Sequence, residues 1–309
     1  MISSPGLRER NDDKTFRIAV LLIALASVAL CAALGIELAK GSSLAWAKFG
    51  FSFLTGREWN PVTEQFGALP FIYGTAASSL IALLISVPLG IGSAIFLAEI
   101  APRKLSAVLC FMIELLAAIP SVIIGLMGIF VLVPAVRWIE PFLTKHLSWL
   151  PFFTGAPYGV GLLAAGLILS VMMLPYITSI SRELLLAVPQ PLKEGMLGLG
   201  STRWEMVRHV CLPYARSGIL GAVFLALGRA LGETMAVTMV IGNTPKISLS
   251  LLAPAYTMSA VIANELAEAT SDIYTHSLVG VALALFLITF IVNGVARLLV
   301  RGLTEEHAR

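Results

Sequence analysis

Residues 194–213, EGMLGLGSTRWEMVRHVCLP, form a polar hairpin between two long apolar segments, Tyr158–Ser181 and Ser217–Ile241. Those flanking runs decide the fold class. Across all 309 residues, 58% are hydrophobic and 13% charged, and the mean hydropathy is +0.90. Soluble domains carry roughly 25% charged residues, so an ordinary soluble domain is excluded. A hydrocarbon core of about 30 Å needs about 20 apolar residues per helix. Four further runs meet this need: Phe16–Ala39, Tyr73–Ile100, Leu105–Val136 and Ser277–Val300. All six are continuous rather than alternating with a period of two, which argues against a barrel. The expectation is an all-α polytopic membrane protein with six transmembrane helices, each satisfying its own backbone groups.

The first run could instead be a signal peptide, because Arg8, Arg10, Lys14 and Arg17 precede it. Its apolar stretch, Ile18 to Ile36, exceeds the roughly 7–15 residues of such a region, so an uncleaved first helix is expected. Orientation follows from the short loops. Fourteen basic residues collect on one side: Arg8, Arg10, Lys14, Arg17, Arg103, Lys104, Arg182, Lys193, Arg203, Arg208, Arg216, Arg297, Arg301 and Arg309. Six collect on the other: Lys40, Lys48, Arg57, Arg137, Lys145 and Lys246. Both termini and the 194–213 loop are therefore expected in the cytoplasm. The net charge of +3 follows from this topology and calls for no nucleic-acid partner. The chain divides into a cytoplasmic segment (1–15), a first helix with an outer loop (16–66), a membrane core (70–300) containing the loop 190–213, and a tail (301–309).

Chemistry-bearing motifs are scarce. No Lys follows a Gly, so a phosphate-cradling G-x-x-x-x-G-K-[ST] loop is absent, as are H-E-x-x-H and G-x-S-x-G. Gly90-x-Gly92 and Gly159-x-Gly161 lack the third glycine of a dinucleotide motif. Cys31, Cys110 and Cys211 are single and far apart, and His146, His209, His276 and His307 are scattered, so no metal site is expected. The chain is read as non-catalytic, with no cofactor of its own.

Within the loop, a first helical piece should run from about Gln190 and stop near Gly198–Gly200, because Gly favours a helix C-terminus. Ser201 or Thr202 can cap a second piece, and Thr202 with Glu205 matches a capping box. That second piece would bring Trp204, Val207 and Val210 or Cys211 together at i, i+3 and i+7 spacing. Pro213 suits the start of the next membrane helix. Two uses fit: an interfacial helix resting on lipid head groups, or a handle gripped by a cytosolic partner through Met196, Leu197, Leu199, Trp204 and Val207.

Glu194-Gly195-Met196, Leu199-Gly200-Ser201-Thr202 and Val210-x-Leu212-Pro213 resemble the E-A-A…L-G-A-S…I-x-L-P loop of ABC importer permeases. Gly195 and Met196 stand where that family commonly has alanine. The resemblance implies a coupling helix inserted into a groove of an ATPase subunit, with Trp204 and its apolar neighbours as the plug. ATP and Mg would then be used by the partner.

The fifth run contains GRALGETMAVTMVIGN, residues 228–243. Arg229 lies about 18 Å along a helix begun at Ser217, near mid-membrane, where an unpaired charge costs about 3 kcal/mol or more. Glu233, at i+4, is expected on the same helix face. Gly228 and Gly232 form a G-x-x-x-G pattern that permits close helix approach. Either Arg229 and Glu233 are a structural ion pair, or Arg229 attracts an anion and Glu233 neutralises it between passages. Glu114, inside the third run, pairs within the bundle or lines a cavity. Glu99 with Arg103 and Lys104 reads as interfacial. Pro88, Pro120 and Pro175 interrupt helical runs, where bends form.

GRALGETMAV with Gly242-Asn243, FGALPFIYGT (66–75), AAIPSVIIG (117–125) and KFGFSFLTGREWNP (48–61) are similar to the C-type permease subunits of phosphate-specific ABC importers. The resemblance runs from Phe49 to about Leu299. Met235-Ala236-Val237 departs from the alanine and proline usual in the A type. What it implies is a type I ABC importer permease fold in the bacterial inner membrane, moving phosphate by alternating access. Its partners would be a homologous A-type permease, two ATP-binding subunits, membrane lipid and a periplasmic phosphate-binding protein docking on Gly41–Phe71, Arg137–Pro157 and Asn243–His276. The substrate path would pass Arg229, Glu233 and Glu114. Arg229 electrostatics alone fit sulfate or molybdate equally well. An ion-coupled carrier or channel, with Glu233 or Glu114 titrating, stays open, although no internal repeat is evident.

Overall fold

Every fourth residue along one helix is small and buried: Ser78, Ala82, Ser86, Gly90 and Ala94. In lipid, helices gain little from hydrophobic burial against one another, and close approach of small residues supplies the packing. This stripe belongs to α4 (Leu69–Ile95) and lets it lie against α8 (Leu162–Leu186). A side chain at Gly90 would meet Ile177, and one at Gly166 would meet Ile81. A third helix, α11 (Leu212–Leu231), closes the core with Ala222, Ala226 and Ala230.

The computed structural model describes residues 11–147 and 149–305. Arg8, Arg10, His307 and Arg309 of the orientation and metal-site readings lie outside them. The remaining elements, in chain order, are α1 (Asn11–Gly41), α2 (Ser43–Phe49), α3 (Ser52–Thr55) and a two-stranded hairpin, β1 (Trp59–Asn60) with β2 (Gln65–Phe66). A π-turn (Phe96–Ile100) extends α4, and α5 (Arg103–Ala118) and α6 (Ser121–Met127) follow. A second π-turn (Gly128–Leu132) leads into α7 (Val133–His146). Beyond α8 come α9 (Gln190–Gly198), α10 (Arg203–Met206) with a π-turn (Val207–Cys211), then α11, α12 (Met235–Thr238), α13 (Met258–Glu265) and α14 (Asp272–Glu305).

Among the described residues, six helical stretches are long and apolar enough to cross a membrane: Phe16–Gly41, Leu69–Ile100, Ser121–His146, Leu162–Leu186, Arg203–Leu231 and Asp272–Gly302. The third differs from the expected Leu105–Val136. Ile119 and Pro120 are extended (ψ 128° and 138°), so the helix breaks between α5 and α6. Proline lacks the N–H that would continue the helix and pushes the residue before it out of the α region. The 16-residue α5 is only about 24 Å long, short of a hydrocarbon core. Pro88 and Pro175, by contrast, sit inside continuous helices.

The fifth run also differs. Its helix begins at Leu212 and ends at Leu231, with Gly232 as the cap, rather than continuing to Ile241. Thr234 then starts the single turn of α12, which packs on α6.

Two further cores flank the central one. At the end carrying the hairpin, Phe53, Trp59, Phe66, Phe71, Tyr256 and Tyr274 form an aromatic cap, in which Glu265 accepts hydrogen bonds from Trp59 Nε1 (2.8 Å) and Tyr274 OH (2.7 Å). Burial pushes the Tyr256 hydroxyl up to about 12, so it stays neutral and accepts from Asn264 Nδ2 at 3.0 Å. At the opposite end, Ala94, Ile95, Leu185, Val188, Met206, Val207 and Cys211 seat the 190–213 segment.

Candidate functional site

The 190–213 segment is built locally as its residues suggest. α9 ends at Gly198, and Gly200 turns the chain with φ +87°, a conformation that glycine adopts without strain. Ser201 Oγ donates back to the Met196 carbonyl at 2.7 Å. The Thr202–Glu205 capping box is complete: the Thr202 N–H donates to Glu205 Oε2 at 2.7 Å, and the Glu205 N–H donates to Thr202 Oγ1 at 3.3 Å.

The apolar face is not the expected one. Met206, Val207 and Cys211 are buried against α4 and α8, whereas Trp204 is 58% exposed. A π-turn carries one more residue per turn than an α-turn. The 207–211 turn therefore shifts Cys211 relative to Trp204, while Val207, whose N–H still bonds the Arg203 carbonyl in α register, is buried beside the exposed ring. Trp204 projects outward, as does Leu199 at 87% exposure, while Glu194 and Gly195 are exposed and Met196 half-buried. Pro213 stands in the first turn of α11.

Arg229 sits in the last turn of α11 rather than at mid-helix. The helix ends two residues later, and the Glu233 carboxylate is directed onward to Ala236 rather than back to Arg229. The Glu233 N–H bonds the Ala230 carbonyl, its own carbonyl accepts from Ser259 Oγ (2.6 Å), and its Oε1 accepts from the Ala236 N–H. Among the described residues Arg229 forms no ion pair. Its guanidinium lies over the Tyr176 ring of α8 instead, 4.7 Å from the centroid. Arg229 and Glu233 nevertheless border one void of about 10 Å³ with Leu169, Met172 and Met173, room for a single water at most. A Cβ on Gly228 would meet Asn293 of α14 at 3.5 Å, whereas the cap Gly232 contacts only its own turn.

Residues 86–305 match the family described as "binding-protein-dependent transport system inner membrane component". The chain belongs to this family.

Its relatives include proteins named phosphate transport system permease protein PstC. The one from Mesorhizobium japonicum is 51% identical, covering 92% of this chain and 89% of that protein. The one from Xylella fastidiosa is 46% identical, covering 99% and 96%. The one from Haemophilus influenzae is 45% identical, covering 96% of each. Among solved structures, a bacterial alginate ABC transporter in complex with a pentasaccharide-bound periplasmic protein superposes with a TM-score of 0.59, at 15% identity over 94% of this chain and 96% of that one. An inward-facing methionine ABC transporter gives 0.52, at 20% identity over 77% and 94%. Both likenesses show the ABC importer permease fold. With six helices among the described residues able to cross a bilayer, the family makes this a multi-pass inner-membrane protein.

Glu114 lies apart from Arg229 in the permease. It is exposed on α5 and lines another cavity, of about 430 Å³, with Thr178, Ser179, Arg182 and Glu183 of α8. Glu99 is not merely interfacial: Lys193 Nζ donates to its Oε1 at 2.6 Å, and both side chains are only 9% exposed. The two residues stand 94 positions apart in sequence. Glu99 ends an apolar helix, but nothing local in the sequence marks Lys193 as its partner. Among the described residues no cluster of His, Cys, Asp or Glu could hold a metal.

Proposed function

We propose that this chain is the transmembrane permease subunit of an ATP-driven importer that carries inorganic phosphate inward by alternating access. The observation that carries the reading is Arg229. It is a solvent-accessible guanidinium at the broken end of a membrane helix, held by an aromatic face and, among the described residues, left without an ion-pair partner. A charge at membrane depth needs a counter-charge or water, and a guanidinium matches the oxygens of a phosphate. A passing oxyanion supplies that counter-charge. Tyr176 orients the cation without neutralising it, and Glu233, across the same small void, limits how tightly the anion is held. The names of the relatives support phosphate as the anion.

The same reading assigns the partners. A homologous A-type permease walls the open Arg229 side. Two ATP-binding subunits, which use the ATP and Mg, grip the 190–213 segment through Glu194, Gly195, Met196, Leu199, Gly200, Ser201 and Trp204. A periplasmic phosphate-binding protein docks on the parts of 41–71, 137–157 and 243–276 that lie beyond the membrane-crossing helices. The excess of Arg and Lys on one side supports cytoplasmic termini. The chain itself hydrolyses nothing.

The test is phosphate-stimulated ATP hydrolysis and phosphate uptake by the reconstituted complex, wild type against Arg229→Gln. The variant is expected to assemble and to lose uptake. Full uptake by Arg229→Gln would overturn the path, and equal stimulation by sulfate would overturn the substrate. Uptake by this chain alone, abolished by collapsing an ion gradient, would establish an ion-coupled carrier instead.

A further inference from the structure

Lys193 is 7% exposed, although its neighbours in α9 are largely open to solvent. A buried charge is tolerated when it is paired and hydrogen-bonded. Lys193 meets both needs by reaching two membrane helices from one atom. Its Nζ donates to Glu99 Oε1 at 2.6 Å, on the π-turn that ends α4, and to the Leu185 carbonyl at 3.0 Å, in the last turn of α8. Helix C-termini favour cations, so the second contact suits the charge. Ser106 Oγ adds the start of α5 by donating to the Leu97 carbonyl of the same π-turn at 2.9 Å. π-Turns interrupt helices at functional positions more often than chance.

The far side of this joint is the Arg229 region. Leu185 and Tyr176 belong to one continuous helix, nine residues or about 14 Å apart, and Tyr176 is the ring beneath Arg229. An unbroken chain of contacts thus runs from α9 through Lys193 and α8 to the guanidinium. We propose that the Lys193–Glu99 pair is the positioning contact that carries movement of the 190–213 segment into α4 and α8, and so to Arg229. The inference rests on the reading of that segment as the ATPase-coupling loop. Glu194 and Trp204 face outward to a partner, while Lys193 faces inward to the membrane helices. An anchor with no role in transmission would affect stability alone; a transmitting contact sets how much ATP is used per phosphate moved.

That ratio is the readout, measured with the full complex in liposomes and inorganic phosphate as substrate, alongside the complex's thermal unfolding temperature. Lys193→Met is expected to raise ATP hydrolysed per phosphate imported by about five-fold or more, the lower end of typical coupling energies between sites. Glu99→Gln, which keeps an oxygen acceptor but no charge, should shift it in the same direction. Lys193→Arg, which keeps the cation, should stay near the wild-type ratio. An unchanged ratio in Lys193→Met overturns the proposal, whatever happens to the absolute rates or the unfolding temperature. If that variant fails to assemble, an unchanged ratio in Glu99→Gln does the same. A wild-type complex whose uptake ignores ATP overturns the coupling-loop reading itself, a result distinguishable from either.

Discussion

The guanidinium of Arg229 rests on the ring of Tyr176, with Cζ 4.7 Å from the centroid, while Glu233, four residues on, turns its carboxylate to the Ala236 N–H. An aromatic face attracts a cation without cancelling its charge. A carboxylate in the same place would compete with any incoming anion. The geometry therefore leaves Arg229 ordered and still cationic toward the open side of the permease.

Replacing the ring tests this directly. Tyr176→Phe keeps the aromatic face and should leave the half-saturating phosphate concentration of the complex near the wild-type value. Tyr176→Leu should raise it by about five-fold, corresponding to about 1 kcal/mol of lost cation–π interaction. Equal effects of the two substitutions would show that the hydroxyl, not the ring, matters.

Trp204 is 58% exposed at the tip of the 190–213 segment, held there by the Thr202–Glu205 box. Large aromatic anchors carry much of the energy of protein interfaces, at about 2 kcal/mol or more for a central residue. Trp204→Ala should weaken capture of the ATPase subunits by at least about thirty-fold, while the thermal unfolding of the permease itself stays unchanged. A fall in its unfolding temperature would instead assign Trp204 to packing.

Glu140 is 1% exposed and accepts from the Gly159 N–H at 2.9 Å, tying α7 to the start of α8. Glu140→Ala strands a buried donor, at a cost of about 1–3 kcal/mol, and should lower the unfolding temperature measurably. Glu140→Gln retains an acceptor and should recover most of the loss. Identical unfolding of both variants would remove the hydrogen bond from the account.

Gly74 of α4 faces the Tyr256 backbone so closely that an added Cβ would overlap its carbonyl oxygen. Backbone cannot yield as a flexible side chain does, so Gly74→Ala should separate α4 from the segment before α13 and sharply reduce the yield of folded protein. Normal yield and stability would show that this contact relaxes easily.

Local chemistry carried much of this molecule. The length and continuity of the apolar runs set the number of membrane-competent helices, because a bilayer demands about 20 apolar residues whatever the packing. The turn at Gly200 and the box at Thr202 and Glu205 were legible for a similar reason: caps and turns join residues only a few positions apart. Even so, local rules overran at two places. The third run reads as one helix past Pro120, and the fifth as one helix past Gly232, yet both break.

The polar EGMLGLGSTRWEMVRHVCLP stretch was thus recognisable from sequence as a capped pair of short helices, but its orientation was not. Which side of it is buried, with Val207 and Cys211 inward and Trp204 outward, follows from the core it lies on. Tertiary structure alone set Arg229 over Tyr176, 53 residues away by number, and joined Lys193 to Glu99 across 94. Helical periodicity records which side chains share a face. It holds no record of which other helix that face meets, and the partners of buried charges are decided there.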